Sequence, residues 1–265
     1  MLVVDSQIHL FSESRRAQAE RGGHRILDPA GVISSMDAAG VDRAYLVPSG
    51  SASNDTCVQA ARSNPDRFRV MGIVPLDRPS GKEMLARWEQ TGMHGVRLRF
   101  PAPGDASWLR NGTADWFWPQ AEQLGIPLMV WPPGQLQEIA VVAERYPRLR
   151  ITIDHLGLFV SDRDERVAEV TDDLIELSRL DNIAVKASAL PHHSTDPYPY
   201  RNLHAPLAKI VDAFGARRVF FGSDLTRIQC PYQKVVDLFV HELDFLSDAD
   251  LEQIMGRAVT EWIGW

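Results

Sequence analysis

The chain has 265 residues, a formal net charge of −7, 45% hydrophobic and 24% charged residues. That length suits one large barrel domain better than a single sandwich, the acidic balance argues against a general nucleic-acid binder, and no apolar run approaches the roughly 18 residues of a membrane span. The N-terminus has no basic n-region or small-residue cleavage site, and Cys57 and Cys230 have neither a metal-type spacing nor a need to pair, so a cytoplasmic protein is expected.

The first strand is read at Leu2-Val-Val-Asp-Ser-Gln-Ile-His9, where period-2 geometry puts Asp5, Gln7 and His9 on one side. Residues 11–27 are polar and aperiodic, and both a functional loop over a site and a surface excursion fit them. Asp28-Pro29 then reads as an N-cap with proline at the first helical position, and the helix stops at Gly40. Strands follow at Ala44 to Val47, Arg69 to Val74, Gly95 to Arg99, Pro127 to Trp131, Leu149 to Asp154, Asn182 to Ala187 and Arg218 to Gly222. Helices fall between them near 53–63, 81–91, 115–124, 134–146, 164–179 and 203–214.

The strands are continuous apolar runs rather than alternating ones, as parallel strands covered on both faces are. About eight strands separated by helices predict an α/β fold, a single-domain (β/α)8 TIM barrel over residues 1–265. A doubly wound sheet is the alternative, but no Gly-x-Gly-x-x-Gly turn follows an early strand. Residues 247–265 read as a capped amphipathic helix with Leu251, Ile254, Met255 and Val259 on one face, closing the barrel wall. The Trp108 to Trp118 segment fits an interface, and so a homo-oligomer, as well as burial against the barrel.

In a barrel, residues at the C-terminal strand ends share one mouth. Strand 1 would bring Gln7 and His9, strand 4 Arg97 and Arg99, strand 5 Trp131, strand 6 Asp154 and His155, strand 7 Lys186, Ser188 and a His192-His193 loop, and strand 8 Asp224 with Arg227 just beyond. Alternation turns Asp154 away from His155, which makes it structural. The clustering of ionisable groups at one level marks a site.

These residues resemble the amidohydrolase-related superfamily, in the branch of 2-pyrone-4,6-dicarboxylate lactonase and sugar lactonases. The carriers are Val4-Asp-Ser-Gln-Ile-His-Leu-Phe11, Gly95-Val-Arg97, Ile153-Asp-His-Leu-Gly157, Val185-Lys-Ala-Ser188, Phe221-Gly-Ser-Asp224, Ile254-Met-Gly-Arg257 and Trp262-Ile-Gly-Trp265. The resemblance implies an Asp-x-His-x-His metal motif on the first strand, histidines from the fifth and sixth, and an aspartate on the eighth that is both metal ligand and base. Here the first histidine of the pair is Gln7, and the strand-5 stretch reads Met129-Val-Trp131. With His9 and Asp224 remaining, no tightly held metal or other cofactor is expected; a weak Zn or Mn site of His9, His155 and Asp224 is the rival.

The expected function is therefore hydrolysis of a lactone or ester. Asp224 would activate water, and His155, His9 and Lys186 would assist at the carbonyl. Arg97, Arg99, Lys186 and Arg227 favour a small anionic substrate, with Trp131, Tyr198 and Tyr200 offering flat surfaces to a ring and Gln7 and His192 as further contacts. A metal-dependent amidohydrolase, a non-oxidative decarboxylase or hydratase, and a non-catalytic binding protein are the alternatives; no nucleic-acid or membrane partner is expected.

Overall fold

The computed structural model describes residues 1–100 and 108–265. Eight strands, β1 (Val4–Ile8), β2 (Arg43–Leu46), β3 (Phe68–Gly72), β4 (Gly95–Arg99), β5 (Leu128–Trp131), β6 (Ile151–Ile153), β7 (Ile183–Ser188) and β8 (Val219–Gly222), pair in parallel in sequence order. The sheet curls into a nearly closed (β/α)8 barrel, and the β1–β8 seam is bridged by Ser6 Oγ donating to the Phe221 carbonyl at 2.6 Å and Asp224 N donating to the Gln7 carbonyl at 3.0 Å. The expected fold class is the observed one. Glycine is required where the strands crowd: a Cβ at Gly222 of β8 would lie 2.7 Å from Ser6 Oγ and 3.0 Å from Ser188 Cβ.

The lumen is divided along its axis. Val4, Tyr45, Met71, Met129, Ala184 and Phe220, near the strand starts, pack with Ala258, Val259 and Ile263 of the C-terminal segment, so that segment plugs the N-terminal end of the barrel and leaves the opposite end for chemistry. It is segmented rather than one continuous helix: Asp248–Glu252 is capped by Ser247 and Asp250, a π turn covers Gln253–Arg257, and Ala258–Ile263 completes it.

Outer helices at Pro29–Ala38, Asn54–Ser63, Pro79–Ala86, Phe117–Gln123, Leu136–Arg145, Glu165–Ile175 and His204–Phe214 lie where the apolar periodicity puts them. One element corrects the sequence reading. Glu13–Arg21, expected as an aperiodic loop, is a helix in which only Ala19 is buried. Phe117 and Trp118 are buried in the wall, and the Trp116 indole donates to the Leu76 carbonyl at 2.9 Å. No helix among the described residues is long and apolar enough to cross a membrane.

Candidate active site

The register of β1 shifts between Asp5 and Ile8, and this irregularity decides where its polar residues go. Asp5 does not join Gln7 and His9 as alternation alone predicts. Its carboxylate is buried between β1 and β8, where it accepts from Ser223 N at 2.9 Å, the Ser223 hydroxyl and the Tyr232 hydroxyl at 2.5 Å. Burial raises its pKa, and these hydrogen bonds oppose the rise. Asp5 thus clamps the start of the loop that carries Asp224.

Asp224 follows with a left-handed backbone, φ 57°, a conformation that carries strain for a residue with a Cβ. Its carboxylate is 3% exposed, and Oδ1 has no hydrogen-bond partner but lies 3.3 Å from His9 Nε2. His9 Nδ1 faces the Val47 carbonyl at 2.6 Å, and a carbonyl only accepts, so the ring proton resides on Nδ1. Burial, with Arg97 nearby, lowers the His9 pKa to about 3. The ring is therefore neutral at pH 7, and the short approach to Asp224 is not an ion pair. Burial also raises the Asp224 pKa, against the pull of His24, Arg227, Arg97 and Lys186. His9 Nε2 already faces the Gln7 amide nitrogen at 3.1 Å, so of this pair the acceptor left open to a proton donor entering the pocket is Asp224 Oδ1.

Beneath this pair lies a buried charge network. The Lys186 ammonium is fully buried, 2.7 Å from Asp154 Oδ1 and 2.7 Å from Gln7 Oε1, and it also donates to the Ser6 carbonyl at 3.1 Å. Arg97 Nε donates to the other Asp154 oxygen at 2.9 Å. Burial alone would raise the Asp154 pKa, but Lys186 and Arg97 outweigh it and hold the carboxyl well below the usual carboxylate range. Lys186 and Gln7, expected at the mouth, lie in the layer below it, and neither lines the pocket. Arg97 spans both layers: it binds Asp154 and also lines the pocket.

His155 reaches the pocket by a route that alternation does not describe. It and Leu156 have left-handed backbones, φ 51° and 55°, immediately after β6, so the chain turns sharply after the buried Asp154. The His155 ring stands edge-on to Trp131 at 6.1 Å, and its Nδ1 is 2.8 Å from Ser188 Oγ. Burial lowers its pKa well below the ordinary value, with Asp154 opposing. Trp131 is fixed by its indole donating to the Leu158 carbonyl at 2.8 Å, and the Arg97 guanidinium lies 5.9 Å from its ring.

The pocket has about 560 Å³ of empty space, open on the C-terminal side. His9, His155, Arg97, Arg99, Trp131, His192, Arg227 and Asp224 of the expected set line it. Tyr198 does not: its ring packs on Tyr200 at 5.8 Å and under Lys234 at 4.9 Å. Tyr200 is likewise turned into the wall. His193 of the expected His192-His193 loop also lines the pocket, and so does His24, which the expected set lacks. His193 faces the Asp162 carbonyl at 2.9 Å. His24 sits edge-on to His9 at 5.5 Å with Nδ1 3.2 Å from Thr226 Oγ1, and burial lowers its pKa to about 4. The signal for His24 was the Gly22-Gly23 stop before it, which ends the polar helix and turns the chain back over the mouth.

The donor set does not fit the metal centre that the resemblance implies. Gln7 offers one acceptor, Oε1, and Lys186 already holds it; its amide nitrogen faces His9 Nε2 at 3.1 Å. In the strand-5 stretch, Met129 Sδ is 3.1 Å from the same ammonium. His9, His155 and Asp224 line one pocket, but among the described residues no group of three or more His, Cys, Asp or Glu side chains that could hold a metal ion is found.

Comparison with known proteins follows this geometry. The family model described as amidohydrolase matches residues 4–258. An L-fucono-1,5-lactonase of Burkholderia ambifaria is 29% identical over 216 residues, 76% of this chain and 70% of the relative. An amidohydrolase from Burkholderia multivorans, solved with bound Zn, superposes with a TM-score of 0.82 at 20% identity over 99% of both chains. A probable 2-pyrone-4,6-dicarboxylic acid hydrolase from Acinetobacter baumannii, solved with citric acid bound, gives 0.76 at 19% identity over the full length of both. At those identities the two structures establish the fold.

Proposed function

The chain belongs to the amidohydrolase family, and from that premise we propose that it is a lactonase that opens a small carboxylate-bearing cyclic ester without a tightly held metal. One observation carries the reading: the unpartnered Asp224 Oδ1, beside the neutral His9 ring, stands in a pocket whose charge is positive. Among the described lining residues there are three arginines and one carboxylate, and the histidine pKa values are shifted downward. An anion is the complement of that surface, and arginine's planar fork suits a carboxylate.

The reaction uses these groups in order. The substrate carboxylate docks against the pocket arginines. Asp224 takes the proton of a water as the water attacks the lactone carbonyl. In this scheme the Ser188 hydroxyl, 2.8 Å from His155 Nδ1, donates to it, so that the His155 proton is on Nε2 as a donor for the oxyanion, alongside Arg97. The ring C–O bond breaks, and the leaving oxygen takes the proton that Asp224 collected. A lactone suits this site because its oxygen leaves as an alkoxide or enolate, whereas an amide nitrogen must first be protonated.

The test is a panel of pyrone carboxylates, sugar lactones, aryl esters and hydroxybenzoates, assayed with native protein and Asp224→Asn. Hydrolysis of a carboxylate-bearing lactone, lost by about 10²- to 10⁴-fold in Asp224→Asn, is expected from removal of a general base. CO2 release from the hydroxybenzoates, or near-normal lactone hydrolysis in Asp224→Asn, overturns the reading.

A further inference from the structure

We propose that Lys186 is a positioning residue that fixes the orientation of the Gln7 amide, and through it the hydrogen-bonding state of His9. The polarity of the bonds carries this. An ammonium has donors and no acceptor, so the Gln7 atom 2.7 Å from Nζ must be the carbonyl oxygen. The other end of the amide, which only donates, is thereby aimed at His9 Nε2, 3.1 Å away. His9 Nε2 must accept there, in agreement with the Nδ1 proton given to the Val47 carbonyl. Were the amide reversed, its oxygen would face Nε2 and favour a proton on that nitrogen, beside Asp224 Oδ1, 3.3 Å away.

Lys186 is itself held so that it cannot serve another partner. Asp154 Oδ1, Gln7 Oε1, the Ser6 carbonyl and Met129 Sδ surround an ammonium with no exposed surface. A lysine shut away from the pocket has no route to substrate, yet it stands two hydrogen bonds from His9. Its effect on turnover passes through Gln7. The effect on turnover rests on the lactonase reading; how His9 is held does not.

The decisive variant is Gln7→Glu, which keeps size and shape but presents an acceptor at both ends while leaving the Lys186–Asp154 pair in place. Long-range ¹H–¹⁵N spectra of the histidine rings at pH 7, with the His9 signals assigned by comparison with His9→Asn, read the state directly and need no substrate. Native protein should show His9 with its proton on Nδ1 and a bare Nε2, and Gln7→Glu should show Nε2 protonated. Lys186→Met, in which the amide is free to turn, should show a mixture. With the substrate found by the panel, kcat of Gln7→Glu should fall roughly tenfold, the scale of one inverted buried hydrogen bond, with KM little changed. A protonated Nε2 in the native protein, a bare Nε2 in Gln7→Glu, or an unchanged kcat overturns the proposal. If Lys186→Met fails to fold, Gln7→Glu decides alone. Failure of the lactonase reading shows separately, as activity retained in Asp224→Asn with the ring-nitrogen pattern unaltered.

Discussion

Replacing Asp154 by asparagine should be the most damaging single change of charge in the molecule, although Asp154 does not line the pocket. Its two oxygens are paired with Lys186 at 2.7 Å and Arg97 at 2.9 Å, and the three side chains are 0, 0 and 4% exposed. The introduced amide would retain one acceptor and no charge, leaving two buried cations without an anion. Breaking a buried pair from one side costs about 3–5 kcal/mol, because the partner's desolvation is no longer offset. At about 2–4 °C per kcal/mol for a chain of this size, the melting temperature should fall by about 6 to 20 °C. Lys186→Met should cost less, since Asp154 keeps Arg97 and methionine fills a similar volume. The sign of the pH dependence follows from the lowered Asp154 pKa: the pair's contribution is complete above the unfolded value of 3.8 and is lost as pH falls through the folded one. The acid limb of stability should therefore be shallower in Asp154→Asn. Calorimetry of the three proteins between neutral and acid pH measures this. A fall below about 2 °C for Asp154→Asn, or a larger fall for Lys186→Met, refutes the reasoning.

The pH profile of kcat/KM should show an acid limb above the ordinary carboxylate value of 3.8, because Asp224 must be ionised to act as base and burial raises its pKa. No limb belonging to His9 should appear near 6.5, since its pKa lies at about 3; a single limb at 6.5 that vanishes in His9→Asn would contradict the neutral ring. Arg227→Ala should raise KM for a carboxylate-bearing lactone about tenfold or more with little change in kcat, and an equal KM would remove Arg227 from substrate binding. Gly222→Ala should destabilise by about 1–3 kcal/mol, as an added Cβ 2.7 Å from Ser6 Oγ wedges the β1–β8 seam; unchanged urea denaturation would show that the seam yields without strain.

The barrel was legible because its signal is repeated. Each parallel strand is an apolar run covered on both faces, so errors of a residue or two at the ends of β3 or β7 left the order intact. The helix Glu13–Arg21 was not, because only Ala19 is buried and periodicity has nothing to report on a helix polar all round. His24 was overlooked with it. Asp5 and His155 departed from alternation for a shared reason: a register shift in β1 and two left-handed residues after β6 reset which way the next side chain points. Such irregularities depend on the neighbouring strand or turn, and one strand's residue types do not announce them.

Lys186 and Gln7 show a different limit. Alternation placed both on the lumen side of their strands, and they are there, but alternation gives a direction and not a depth. Depth follows from length and charge together. A lysine on β7 that met no acid below the mouth would extend to solvent; Asp154, at the end of the neighbouring β6, draws the ammonium into the buried layer. Once the ammonium is there, Gln7 has a role that a histidine in its place could not fill so simply, since a neutral ring has one acceptor nitrogen for Lys186 and one N–H for His9, at fixed directions. The same residues that looked like a depleted metal site are a satisfied hydrogen-bond chain, from Asp154 through Lys186 and Gln7 to His9. Among the described residues that line the pocket, Asp224 Oδ1 is a buried carboxylate oxygen without a hydrogen bond, which is where the proposed reaction needs its water.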